Sequence, residues 1–159
     1  MTEPEKAATT VPSVLGDVAR RRADLFEAIV GLEGAAARPA SGREADWTEG
    51  VLEATGEVRD HVIEHIETTE HPEGLYAEIT AHAPRLLHRI GVLREEHLRM
   101  RHDVTALEHR LHANPPADAD GVANTRQDVQ VLLGLLVKHR QHGADLVWEA
   151  FTLDIGNTG

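Results

Sequence analysis

Apolar residues recur at intervals of three and four along most of the chain, the spacing that places them on one face of an α-helix. Such stretches cover about residues 14–36, a second segment that begins near Glu44, about residues 84–112 and about residues 126–153. Breaks rich in Gly, Pro, Ala or Asp separate them at 34–42, 71–84 and 113–121. The pattern predicts an all-α protein, an antiparallel up-down-up-down four-helix bundle.

Capping residues and prolines indicate where these helices begin and end. Ser13 is a suitable N-cap for the first helix, and Pro84 suits the first turn of the third. The second helix has two alternative ends. It continues through Ile79 with a kink at Pro72, or it ends at His71 and Pro72.

The chain is expected to form one domain, since 159 residues is within the usual size range. Residues 1–12 are polar, contain proline and lack periodicity, so we expect them to be disordered. The bundle domain is then assigned to residues 13–155, with a flexible end at 156–159.

Charge and composition exclude several classes of function. The chain has 27 acidic residues and 16 Lys and Arg residues, a net charge of −11, which argues against a nucleic-acid partner. No apolar run approaches the ~20 residues of a membrane span, and the first residues do not form a signal peptide. We therefore expect a cytoplasmic protein with no membrane partner. There is no cysteine, which excludes disulfides and thiolate ligands.

Eleven histidines are the unusual feature of the composition, and the apolar pattern divides them. Four continue the apolar faces of three helices: His61 and His65 on the second, His97 on the third and His139 on the fourth. His142 lies one turn beyond His139, at the edge of the same face. Others, including His88 and His102, lie outside these faces, where we expect solvent.

Two of these core histidines are expected at the same height in the bundle. The sequence midpoint of His97 and His139 is residue 118, close to the centre of the predicted loop at 113–121. His65 joins them only if the second helix continues past Pro72. If that helix ends at Pro72, His61 and His65 lie several turns away from His97.

A single histidine at a core position is more often a hydrogen-bonded core residue than a metal ligand. Several imidazoles in one layer, with no hydroxyl or amide partners on the same faces, would leave buried ring nitrogens unsatisfied. A metal ion or a haem would satisfy those nitrogens directly. The sequence therefore predicts a metal or a metal-containing cofactor in the core.

Three segments carry the inward histidines: His61-Val-Ile-Glu-His65-Ile-Glu67, Arg94-Glu-Glu-His-Leu98 and Leu136-Val-Lys-His-Arg-Gln-His-Gly-Ala-Asp145. With these segments the chain resembles the haemerythrin-like, or HHE cation-binding, family over most of residues 14–153. The resemblance implies a non-haem di-iron centre that binds or reacts with dioxygen, peroxide or nitric oxide. It also implies that His61, His65, His97 and His139 are iron ligands.

The carboxylate ligands and the first helix differ from the family pattern. The first helix has no histidine, and Arg22 occupies the equivalent position. No His-x3-Glu or His-x4-Asp spacing occurs, so the candidate replacements for the bridging carboxylates are Glu64 or Glu67, and Asp145 or Glu149. His142 is a further candidate ligand.

Two other functions are alternatives at this stage, and the sequence does not decide whether the protein is an enzyme. Core histidines of a bundle also ligate haem, and Gly143 would leave room for a flat macrocycle, although it would equally allow close helix packing. A non-catalytic interaction protein could use an apolar face or the tail Phe151-Thr-Leu-Asp-Ile155. Zinc is an alternative to iron, and a homodimer is an open alternative to a monomer.

Overall fold

The computed structural model describes the backbone of residues 10–152 and the side chains of residues 16–152. In chain order it contains α1 (Thr10–Ala37), α2 (Glu44–Glu70), the short α3 (Leu75–His82), a 3₁₀ turn (Pro84–Leu86), α4 (Leu87–Ala113) and α5 (Ala119–Thr152). No residue within this range is in a β-strand. The all-α prediction is confirmed.

The four long helices form the predicted antiparallel bundle. α1 packs against α2 and α5, and α4 packs against the same two helices on the other side. α3 packs against the end of α2 and against α5. Within residues 10–152, no helix combines the length and the apolar character needed to cross a membrane.

Three predicted boundaries differ from the structure. α1 begins at Thr10, so Ser13 lies inside the helix and is not its N-cap. Of the expected disordered segment, residues 10–12 are helical, and residues 1–9 lie outside the described range, as does the end at 156–159. α5 begins at Ala119, seven residues before the prediction, because the Asp118 carboxylate accepts a hydrogen bond from the Gly121 amide (2.7 Å) and caps the first turn.

The second helix takes the shorter of its two predicted forms. α2 ends at Glu70, and His71 adopts the extended conformation that a residue before proline favours (φ −56°, ψ 143°). A tight turn then leads into α3, and Gly74 is required there because a Cβ atom would lie 2.3 Å from the Thr68 carbonyl oxygen. The chain therefore leaves the α2 axis at Pro72 and returns as a separate short helix.

The core consists of two hydrophobic clusters. The large cluster lies between α1, α2, α4 and α5 and includes Val58, Val62, Met100, Val104, Leu107, Leu132 and Leu136. The small cluster lies between α3, α4 and α5 and includes Leu75, Tyr76, Ile79, Ile90, Leu93, Leu146 and Ala150. The division between them follows one level of the bundle, and that level carries histidines.

Candidate metal centre

Three histidines from three helices meet at the boundary between the two clusters: His65 of α2, His97 of α4 and His139 of α5. The Nε2 atom of His139 lies 3.1 Å from the Nε2 atom of His65 and 3.1 Å from that of His97. One ring nitrogen from each of the three residues lies within 4.8 Å of the other two. We call these residues the histidine layer. The expected level match between His97 and His139 is confirmed.

The apolar periodicity of each helix places these imidazoles in the core. His97 lies one turn from Leu93 of the small cluster and nearly one turn from Met100 of the large cluster. His139 follows Leu136 of the large cluster in the same way. Both imidazoles are consequently buried, with 1% of His97 and 2% of His139 exposed to solvent. The helices cannot pack without bringing these rings together.

His65 reaches the layer although α2 ends at Glu70, so the expectation that it would then lie several turns away is wrong. That expectation assumed that the chain reverses directly from α2 into the next long helix. Instead α3 and the 3₁₀ turn lie between them, and α4 begins well beyond the end of α2. His65 therefore lies near the end of α2, while His97 lies in the middle of α4, at the same height.

The environment keeps the imidazoles neutral. Burial, together with the neighbouring histidines, lowers the pKa of His97 to about 2 and the pKa of His65 to about 3. Burial also lowers the pKa of His139, an effect that the nearby Glu96 carboxylate partly offsets. Neutral imidazole is the form that binds metal ions, because the ligand nitrogen must have a free lone pair.

Two carboxylates lie behind the histidine layer, on the Nδ1 side of the rings. Glu96 accepts hydrogen bonds from Nδ1 of His139 (2.9 Å) and from Nδ1 of His142 (2.8 Å). A Glu70 oxygen lies 3.5 Å from Nδ1 of His97. A carboxylate at Nδ1 holds the proton on that nitrogen, so the lone pair is directed from Nε2. Glu96 therefore directs the Nε2 lone pair of His139 into the layer, and Glu70 lies in the corresponding position behind His97.

Hydrogen bonding alone does not satisfy the layer. Since Nδ1 of His139 donates to Glu96, its Nε2 atom offers one lone pair, and both His65 and His97 would have to donate to it. Nδ1 of His97 would then have no proton to offer Glu70, and this buried atom indeed has no hydrogen-bond partner. With an ion bound to the three Nε2 atoms, Nδ1 of His97 carries a proton and Glu70 becomes its acceptor.

The spacing of the nitrogens also fits one ion. Three imidazole nitrogens that bind a tetrahedral ion at roughly 2.0–2.1 Å lie about 3.3 Å from one another. The two 3.1 Å separations between the Nε2 atoms are close to this value. Two of the three separations therefore already suit one tetrahedral ion, and the third is within 4.8 Å.

A cavity of about 170 Å³ opens beside the histidine layer, and we call it the ligand cavity. It is lined by His65 and His139, by Thr68, Thr69 and Tyr76 at the turn between α2 and α3, by Arg21 and Arg22 of α1, and by Gly143 of α5, among others. The Tyr76 hydroxyl lies 3.2 Å from Nε2 of His97. An ion in the layer would face this cavity.

Other predicted site residues lie away from the layer. His61 lines a separate surface depression with Asp24, Glu27 and Glu57, so it does not face the core as expected. Glu64 is exposed and pairs with Arg21 (2.9 Å). His142 contacts Glu96 rather than the Nε2 atoms.

Neither candidate carboxylate on α5 reaches the layer. Asp145 accepts a hydrogen bond from Gln141, and Glu149 pairs with Arg89 and Arg85. Glu67, on α2, is exposed. The carboxylates that do approach the histidines, Glu70 and Glu96, were not among the sequence candidates.

A comparison of this chain with protein-family models, with curated proteins and with solved structures finds no match.

Proposed function

We propose that the protein binds one transition-metal ion through the Nε2 atoms of His65, His97 and His139, and that the ion presents a free coordination position to a small molecule in the ligand cavity. The convergence of three neutral imidazoles, two of them backed by carboxylates, is the observation that carries the proposal. An ion held in this way supplies a Lewis acid and a binding position for a small ligand.

The donor set indicates the class of metal. Imidazole nitrogens suit zinc, copper, iron and nickel, whereas magnesium and calcium prefer oxygen ligands. Three protein ligands with one open position are typical of reactive rather than structural sites. The open position and the adjoining cavity together favour ligand binding over a purely structural ion.

An iron pair of the haemerythrin-like type is the second candidate, and it rests on the family resemblance of the sequence. Carboxylate-bridged pairs in bundles draw several glutamates inward together with their histidines. Here Glu96 is hydrogen-bonded to His139 and His142, and Glu70 lies at the outer nitrogen of His97. These contacts favour a single ion, and a single ion also offers a coordination position to a small oxidant of the kind that the resemblance implies.

The geometry disfavours a haem, and it gives the first residue of the interaction tail a place in the core. A haem plane needs clear space on the ligating nitrogen, and Nε2 of His139 has another Nε2 atom 3.1 Å away on each of two sides. Phe151, the first residue of the proposed interaction tail, packs on the small cluster and stacks on His82. Residues 153–155 of that tail lie outside the described range.

Metal loading tests the proposal. The purified chain is incubated with Fe²⁺, Co²⁺ or Zn²⁺, dialysed and assayed by elemental analysis. We expect one ion per chain, and three imidazole ligands by X-ray absorption at the metal edge. The double variant His97→Ala and His139→Ala should retain less than about a tenth of the metal. The matched control, His88→Ala with His102→Ala, removes two exposed histidines and should retain all of it.

The outcomes separate the candidates. Circular dichroism establishes that each variant keeps its helices, and His97→Gln, which retains a polar side chain of similar reach, replaces the double variant if that one unfolds. Two ions per chain would favour the iron pair, and an intense Soret band would favour haem. Full metal retention in the folded double variant would falsify the three-histidine site.

A further inference from the structure

The ligand cavity contains a cation without a counter-ion. Within residues 16–152, Arg22 forms no hydrogen bond or ion pair. Its neighbour Arg21 lines the same cavity and pairs with Glu64, and Arg59 on α2 pairs with Glu108. Arg22 is thus unlike these arginines, and it is partly buried.

An unpaired guanidinium in such a place is costly, because burial removes water from a charge that nothing else neutralises. Burial and the nearby Arg140 guanidinium lower the pKa of Arg22. Asp17 also lines the cavity, but it is exposed and pairs with Arg20. The described residues therefore leave the positive charge of Arg22 in this cavity without a counter-ion from the protein.

The position of the guanidinium is defined by a glycine. A Cβ atom at Gly143 would lie 3.4 Å from Nη2 of Arg22, so the side chain extends from α1 across the cavity to the surface of α5. Gly143 lies one helical turn after His139. From the sequence, the space at Gly143 was expected to accommodate a macrocycle or to allow close helix packing. In the structure, the Arg22 guanidinium lies next to Gly143. The positive charge therefore lies beside the histidine layer.

A hydrogen-bond donor accompanies this charge. The Tyr76 hydroxyl lies 3.2 Å from Nε2 of His97, and that nitrogen is the atom that would bind the ion. With an ion on that nitrogen, the hydroxyl can no longer form a hydrogen bond with it. The Tyr76 proton is then available to a ligand on the ion.

We propose that the ligand of the metal centre is a small monovalent inorganic anion, with Arg22 as its charge partner and the Tyr76 hydroxyl as its hydrogen-bond donor. This inference rests on the proposed metal site. Superoxide, hydroperoxide, nitrite and azide belong to the class, whereas neutral dioxygen and nitric oxide would leave Arg22 unbalanced. A cavity of about 170 Å³ is below the roughly 300–1,000 Å³ of sites for larger organic ligands.

The net charge of the chain limits the charge of this ligand. At −11 the protein repels anions at a distance, and the repulsion grows with the charge of the ion. A singly charged anion meets the smallest barrier while still gaining the local attraction of Arg22 and the ion. Phosphate and sulfate are therefore disfavoured.

The test uses the full chain loaded with Co²⁺ and azide as the anionic probe. Azide binding is followed through the visible absorption of the cobalt, and metal content is measured on the same samples. Arg22→Met should weaken azide binding by about tenfold or more while metal content stays at one per chain, and Arg22→Lys should lie between. Arg21→Met, which removes a cation that lines the same cavity but is paired with Glu64, should change azide affinity less than about twofold.

A neutral probe distinguishes the loss of the Arg22 charge from a change in the shape of the ligand cavity. Imidazole binds cobalt without a charge, and Arg22→Met should leave its affinity within about twofold of the unaltered chain. Equal azide affinity in the unaltered chain and in metal-loaded Arg22→Met would overturn the inference while leaving the metal site in place. Failure of the unaltered chain to retain cobalt would overturn the metal site and the inference together.

Discussion

The two hydrophobic clusters lie on opposite sides of the histidine layer, yet they are built differently. Four long helices enclose the large cluster, and aliphatic side chains fill it. In the small cluster α2 is absent, and the shorter α3 occupies its place. The ligand cavity lies where α3 replaces α2, and its wall includes Thr68 and Thr69 from the last turn of α2 and Gly74 from the connection to α3.

Because of this difference, the large cluster supports the fold, while the ligand cavity lies on the side of the small cluster. A continuous helix packed on three others leaves little space, because core side chains interdigitate at high density. Replacing the last part of α2 by a turn and a short helix interrupts that packing beside the buried imidazoles. The bundle therefore obtains a rigid support from one side of the layer and an accessible space from the other.

Leu107→Ala should have the largest effect on stability. Leu107 is 2% exposed and lies in the large cluster, ten residues from His97. Its truncation should lower the free energy of unfolding by about 2–5 kcal/mol, measured by urea denaturation of the metal-free chain. Metal content at 25 °C should remain unchanged. Loss of the metal from the folded variant would show that the two sides of the layer are not separable.

Acid should destabilise the metal-free chain because the buried imidazoles of the histidine layer take up protons only when the chain unfolds. His97 takes up a proton near pH 6.5 when unfolded but only near pH 2 when folded, so the unfolded state binds more protons between these values. His97 alone should therefore lower the free energy of unfolding by about 1.4 kcal/mol per pH unit as the pH drops below about 6, and the other histidines of the layer add to this slope.

The His97→Leu variant isolates this contribution. Leucine cannot bind a proton, so the slope of stability against pH should be shallower by that amount than in the unaltered chain. His88→Ala, which removes an exposed histidine from the same helix, should retain the original slope. Parallel curves for His97→Leu and the unaltered chain would contradict the burial of a neutral imidazole.

Tyr76→Phe should have the smallest effect. The variant keeps the buried ring in the small cluster and loses the hydroxyl that lies 3.2 Å from Nε2 of His97. The expected loss is about 0.5–1.5 kcal/mol, measured by urea denaturation without metal. A loss above 3 kcal/mol would mean that the packing of the three histidines depends on the hydroxyl, and that more than one hydrogen bond is lost with it.

The sequence predicts the bundle well because helical periodicity is a local signal. The same periodicity identifies His97 and His139 as core residues, and the symmetry of a hairpin about its loop places them at one level. That symmetry fails for His65, since α3 intervenes between α2 and α4. His61 shows a further limit: it lies one turn from His65, yet the helix directs it to a surface depression.

The residues that surround the histidines were harder to predict. Glu96 is adjacent to His97 in sequence, off the apolar face, and it meets His139 only through the packing of α4 on α5. Tyr76 lies in a segment that proline and glycine mark as a break. The sequence shows Arg22 at the position where the family has a first-helix histidine. Its lack of a counter-ion is visible only in three dimensions. Such contacts depend on tertiary geometry rather than on local pattern.

The histidine layer draws on helices that are far apart along the chain. His65 and His139 are separated by 74 residues, and His97 lies between them. Neither the α2–α4 pair nor the α4–α5 pair alone contains all three rings, so the layer is complete only when α5 has docked on the others. Metal uptake would consequently be a late event in folding, and the metal content of a preparation would measure the fraction of chains that have reached the native topology.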